Sequence, residues 1–195
     1  MRLFHEQGYA ATGISTVLRE ADVNSGSLYH FFQGKDALLT AVLEKYRELL
    51  RPVALDPIEK QTEDPIERVF ALLAWYRCGM EQTNCRLGCP IGNLALEVAD
   101  NHAPARSLIH ANFDGWVEGV RQWLEAARHR FPRDCDRREL AQMVLNTMEG
   151  GIMQCRSRGE LAPFDAAVNQ LRKYFDYLQR DAASSRDPQP VKENP

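Results

Sequence analysis

The chain has 195 residues, 44% of them hydrophobic and 26% charged, which excludes a disordered or fibrous polypeptide and leaves length for a sizeable core. Its formal net charge of −3 excludes a broad basic field, so contact with nucleic acid has to come from a local surface. No apolar run approaches the roughly 18–20 residues that cross a bilayer, no segment reads as a secretory signal, and five scattered cysteines fit reduced thiols in a cytoplasmic protein without a membrane partner.

Apolar residues recur at spacings of three and four, and alternating runs are absent, so the predicted fold class is all-α with about nine helices. A first helix over residues 2–7 ends at Gly8. Thr12 is the expected N-cap of a second, which carries Ile14, Val17, Leu18 and Ala21 on one face. Asn24 is the expected cap of a third, which carries Leu28, Phe31 and Phe32. After Gly34 a longer helix presents Leu38, Leu39, Val42, Leu43, Tyr46 and Leu50, and Pro52 is expected to stop it. Residues 52–64, rich in proline and acids, read as a loop between two halves. Beyond it, helices are predicted from near Pro65, after Pro90, from Pro104, over residues 137–157 and from near Pro163. Most have proline in the first turn, where its missing N–H has no intrahelical partner to lose. This divides the chain into an N-terminal domain over residues 1–48, a larger helical domain over 49–182, and a tail, 183–195, predicted to be disordered.

Two short helices joined by residues 21–24 have the pattern of a helix-turn-helix, with Val23 expected to plug the angle between them. The recognition helix over residues 25–32 offers Ser25, Ser27, Tyr29 and His30 outward, with Leu28 and a phenylalanine inward. Small hydroxyls at its start allow close approach to the major groove. Tyr29, His30 and Lys35 have donors for phosphate. Leu3-Phe4, the run from Gly8 to Thr12, Ala21-Asp22-Val23, the run from Gly26 to Phe32 and Lys35-Asp36-Ala37-Leu38-Leu39 together resemble the DNA-binding domain of TetR-family regulators. The resemblance implies a three-helix DNA-binding domain followed by an all-helical dimerisation and ligand domain. It places Thr12, Ser27, Tyr29, His30 and Lys35 where family members touch DNA, with Asn24 and Ser25 at the start of the same helix. Members of the family usually carry further residues before the Leu3-Phe4 pair, so helix one reads as shortened. With five Lys/Arg against six Asp/Glu in residues 1–50, that difference bears on DNA affinity.

In the second domain, Phe164, Val168, Leu171, Phe175 and Leu178 form a narrow stripe, and Gly150-Gly151 permits close helix approach. These seven residues are the expected interface of a homodimer that would meet a palindromic operator. Trp75, Tyr76, Asn93, Phe113, Trp116 and Asn146 lie on helices expected to surround a cavity for a small-molecule effector. Cys89 precedes Pro90, which puts it at a helix N-cap, where free N–H groups and the helix dipole are expected to lower a thiol pKa, with Arg86 adding to the effect. The Gly-Cys-Pro segment resembles that of TetR relatives, some of which sense electrophiles through this cysteine while others bind drug-like compounds. Inert core thiol and reactive sensor both remain open.

Cys85, Cys89 and His102 are too irregularly spaced for a zinc site, so neither metal nor cofactor is expected. The sequence therefore reads as a regulator, not an enzyme: a repressor released from DNA by a small hydrophobic ligand or an electrophile. Two alternatives stand beside it. One is a thiol-dependent helical enzyme using Cys89. The other is a helical dimer that has lost DNA binding.

Overall fold

The computed structural model describes residues 1–185, and every regular element among them is helical. Three short helices come first: α1 (Arg2–Gln7), α2 (Ile14–Ala21) and α3 (Ser25–Phe31). They are followed by α4 (Lys35–Leu49), α5 (Asp56–Gln61), α6 (Pro65–Gln82), α7 (Pro90–Val98), α8 (Ala103–Ala126), α9 (Arg137–Arg158) and α10 (Ala162–Ser184). Helix α10 continues past the expected start of the tail at residue 183. Residues 186–195 lie outside the described residues.

Local chemistry sets most of these boundaries. Asn24 Oδ1 accepts from the Ser27 N–H at 2.8 Å, and Asp64 and Asp136 cap α6 and α9 in the same way. Asp22 adopts a left-handed backbone, φ 53°, which ends α2 and starts the turn into α3.

Three expectations about the first half are corrected. Thr12 does not cap α2; Gly13 holds that position. The Thr12 side chain is fully buried, and its hydroxyl donates to the Gly8 carbonyl at 2.6 Å, closing the turn between α1 and α2. Val23 does not plug the helix-turn-helix, since it is 43% exposed and Leu28 fills the interior instead. Nor does α4 end in a loop at Pro52. The chain passes through one wide π-helical turn, Leu50–Leu55, straight into α5. Proline removes one N–H and crowds the carbonyl a turn earlier, and a wider turn relieves both strains. Packing holds this segment in place: Ala54, Leu55 and Ile58 are buried, and Glu59 accepts from the Trp123 indole N–H at 2.8 Å.

Helices α8, α9 and α10 pack in series, with α4 and α6 against α8. Their shared core takes Leu39 and Leu43 from α4, Leu72 and Leu73 from α6, Val120 and Leu124 from α8, Val144 and Met148 from α9, and Phe175 from α10. The stripe expected at a dimer interface belongs to this core. Phe164, Leu171, Phe175 and Leu178 are all buried within the chain, and half-buried Val168 packs beside them. Gly151 seats Phe164, because a Cβ there would lie 2.9 Å from its ring, whereas Gly150 faces open space. The apolar seam is satisfied inside its own chain because α9 lies along it.

Candidate functional site

The helix-turn-helix presents Ser25, Ser27, Tyr29 and His30 on its exposed side, and Asn24 is also exposed. Phe31 stands out at 75% exposed, edge-on to the His30 ring. Thr12 is absent from this surface, being buried with its hydroxyl engaged. Lys35 is partly occupied: its Nζ donates to the Ala10 carbonyl at 3.3 Å and lies 4.2 Å from the Tyr9 ring centroid. Tyr9 in turn bonds Asp36 through its hydroxyl, so Lys35 and Tyr9 brace the start of α4 against the α1–α2 turn.

That turn is also tied to α7. Glu97 accepts from the backbone N–H groups of Tyr9, at 2.8 Å, and Ala10, at 2.6 Å. At the other end of α7, His5 Nε2 lies 3.0 Å from the Gly88 carbonyl, next to Cys89. Both ends of α7 therefore hold the three-helix head.

Behind this contact lies a cavity of about 330 Å³. Its walls come from Tyr46 on α4, Val53 and Ala54 on the π-turn, Trp75 and Tyr76 on α6, Cys89, Pro90 and Ile91 at the start of α7, Phe113 and Trp116 on α8, and Met148 on α9. Of the expected ligand residues, Trp75, Tyr76, Cys89, Phe113 and Trp116 are brought together. Asn93 and Asn146 are not. Asn93 donates to the Leu87 carbonyl and accepts from Arg156, and exposed Asn146 accepts from Gln142.

Two polar residues enter the cavity unforeseen. Buried Asn112 donates to the carbonyls of Leu43, at 3.0 Å, and Leu108, at 2.9 Å, fastening α8 to α4 and leaving its Oδ1 as an acceptor. Glu149 points in from α9, and its Oε1 is buried without a hydrogen-bond partner. Gly92 makes room for it: a Cβ there would lie 2.4 Å from Glu149 Oε2. The Trp116 indole N–H is also buried and meets no acceptor in bonding geometry, although the Tyr76 hydroxyl is its neighbour. The sequence carried one signal for Glu149, a lone acid on the otherwise apolar stripe of Leu145, Met148 and Ile152.

Cys89 is the N-cap of α7, and its Sγ accepts from the Gly92 N–H at 3.4 Å. Its pKa nevertheless moves opposite to expectation. Burial pushes the thiol well above its usual value and the nearby Glu149 charge pushes it further, outweighing the helix N–H groups. Arg86 is exposed. Burial raises Glu149 as well, with the Cys89 thiol pulling the other way, and pushes Tyr46 up to about 12. The environment is low in dielectric, rich in aromatic faces and poor in hydrogen-bond partners. It is built for an apolar guest carrying one polar group.

Residues 1–42 match the family model of the bacterial regulatory proteins of the tetR family, and residues 65–170 match that of the LmrA/YxaF-like transcriptional regulator C-terminal domain. An uncharacterized HTH-type transcriptional regulator of Mycobacterium tuberculosis is 32% identical over 176 residues, covering 87% of each chain. The HTH-type transcriptional regulator LmrA of Bacillus subtilis is 31% identical over 153 residues, 78% of this chain and 79% of that one. Among solved structures, a TetR transcriptional regulator from Chloroflexus aurantiacus superposes with a TM-score of 0.77 at 27% identity, covering 89% of this chain and 88% of that one. A regulatory protein TetR from Rhodobacter sphaeroides gives 0.78 at 24% identity, covering 87% and 91%. With both halves of the fold matched in their expected places, the chain is a member of the TetR family of DNA-binding transcriptional regulators.

Proposed function

We propose that the protein is a homodimeric repressor that leaves a palindromic operator when a small apolar ligand fills the cavity behind α7. The observation that carries this reading is the position of the cavity. It touches α4, which leads directly from the helix-turn-helix, and the Cys89 end of α7, which is bonded to α1. A guest that shifts either helix changes the angle of the recognition helix, and two half-sites then no longer fit. Ser25, Ser27, Tyr29 and His30 are the proposed DNA-facing residues, with Asn24 holding the start of their helix and Lys35 bracing the start of α4. The proposed dimer surface is the outer side of α9 and α10, where Met143, Tyr174 and Tyr177 are exposed and Gly150 leaves open space.

The buried, raised thiol supports a reversible ligand over an electrophile, and it weighs against catalysis by Cys89, because a nucleophile needs thiolate. Fluorescence anisotropy on the intergenic DNA beside the gene tests the proposal. Binding is expected to fall steeply with salt and to leave a two-fold symmetric footprint. Absence of a sequence-specific complex, or a monomer in sedimentation at micromolar concentration, would sink it. Thiol labelling tests the ligand class: exposed Cys78 is expected to alkylate much faster than Cys89 at neutral pH. Rapid labelling of Cys89 would restore the electrophile reading.

A further inference from the structure

We infer that the cavity selects ligands carrying a positive charge, a lipophilic amine or quaternary ammonium ion, and that Glu149 is the residue that recognises it. This rests on the cavity being the effector site, and it assigns the chemistry of the guest.

Two independent features of the geometry support it. The first is the carboxyl group itself. Glu149 Oε1 is buried with no hydrogen-bond partner; the cavity walls include no lysine, arginine or histidine side chain, and the cationic group among them is the Met1 ammonium, whose charged form burial disfavours. The carboxyl interacts with the Cys89 thiol, a weak donor, and its charge also reaches the Tyr76 hydroxyl. A buried carboxyl in this state is poorly satisfied in either protonation form, and a guest that brings a positive charge or an N–H donor supplies the missing interaction. Arg156, the nearest candidate from within the protein, is held by Asn93 across the adjoining cavity of about 290 Å³, which shares Cys89, Phe113 and Glu149 with the first.

The second feature is the aromatic wall. Trp75 and Tyr76 meet edge to face at 4.9 Å between centroids, and Tyr76 and Trp116 are tilted at 6.5 Å. Tyr46 and Phe113 line the same space. The faces of such rings are negative, so together with one acid they stabilise a diffuse organic cation and offer little to an anion. A neutral apolar guest would gain the same contact area and leave Glu149 as it is.

The test uses three probes that share a naphthalene ring: naphthylmethyl-trimethylammonium, its neutral isostere with a quaternary carbon in place of nitrogen, and 2-naphthylacetate. Binding is read by calorimetry on the full chain. The cation is expected to bind about tenfold tighter than the isostere, with the anion weakest. In Glu149→Gln the cation is expected to lose that advantage while the isostere binds as before. The ranking in the unaltered protein stands as evidence even if the variant fails to fold. Equal or tighter binding of the isostere in the unaltered protein overturns the charge selectivity and leaves the cavity as an effector site. A cation preference that survives in folded Glu149→Gln overturns the role of Glu149. Binding of none of the three overturns both readings.

Discussion

The head, α1 to α3, and the body, α6 to α10, are stabilised in different ways. Helix α2 buries no residue fully and α3 buries only Leu28, whereas α8 and α9 bury residues along most of their length. A unit this small removes too little apolar surface from water to offset the entropy of ordering its chain. Its order is imposed from outside. Phe4 enters the common core, Leu39 and Leu43 anchor α4 against α8, Glu97 ties the α1–α2 turn to α7, and His5 ties α1 to the chain just before α7. The attachment points are consequently also control points. A head fixed by its own core would be indifferent to the body, but one fixed by α4 and α7 takes its angle from the helices that enclose the cavity.

The largest effect that bears on this contrast is expected in the body. Phe175 is fully buried, with its ring edge-on to Phe70 at 5.3 Å and Phe131 at 5.9 Å. Phe175→Ala should cost about 3–5 kcal/mol in urea unfolding and lower the protection of every helix from hydrogen exchange. Leu28→Ala should cost less, about 2 kcal/mol, and confine faster exchange to residues 14–32. Equal, global losses from both would show that the head is a full part of the cooperative core. Smaller again is the docking contact. Glu97→Ala removes the acceptor for two backbone N–H groups at the surface, about 1 kcal/mol in all. Exchange at Tyr9 and Ala10 should quicken about fivefold and operator affinity should fall, while the thermal midpoint of the body stays put. Unchanged operator affinity would mean that α4 alone sets the head.

Helix starts were the legible part of this fold. Asn24, Asp64, Cys89 and Asp136 sit where their side chains satisfy orphan N–H groups, and such short-range chemistry is written in neighbouring residues. What failed was whatever depended on the partner of a face. The stripe from Phe164 to Leu178 has the spacing of a dimer seam, and spacing does not say whether the facing helix comes from the same chain. Pro52 reads as a stop, yet the buried Ala54, Leu55 and Ile58 carry the helix past it. The candidate ligand site was half visible for the same reason. Five aromatic or thiol residues were found by composition and position. Asn93, equally polar, lines the adjoining cavity instead, and Asn146 is exposed. The Cys89 pKa followed burial and Glu149, residues apart in sequence, and not the helix terminus beside it.

The smallest expected effect is the one that links the body's stability to its cavity. Burial raises the Glu149 carboxyl above its ordinary range, so the folded state holds that proton more tightly than the unfolded chain does. Its contribution is then fully present below the unfolded value and is lost as pH rises through the raised folded value. Cys89 and Tyr46, both raised, stay neutral across this window and add no slope. Glu149→Gln keeps the shape and removes the titration. Its thermal midpoint should match the parent below about pH 4 and exceed it progressively towards about pH 8, by a few degrees at most. Operator binding without ligand should be unchanged, because Glu149 touches nothing in the head. A variant less stable than the parent at every pH would show that the carboxylate is satisfied in the folded protein. The unpartnered oxygen would then lose its meaning as a vacancy for a guest, and the difference between a self-sufficient body and a dependent head would have to be sought in α4 alone.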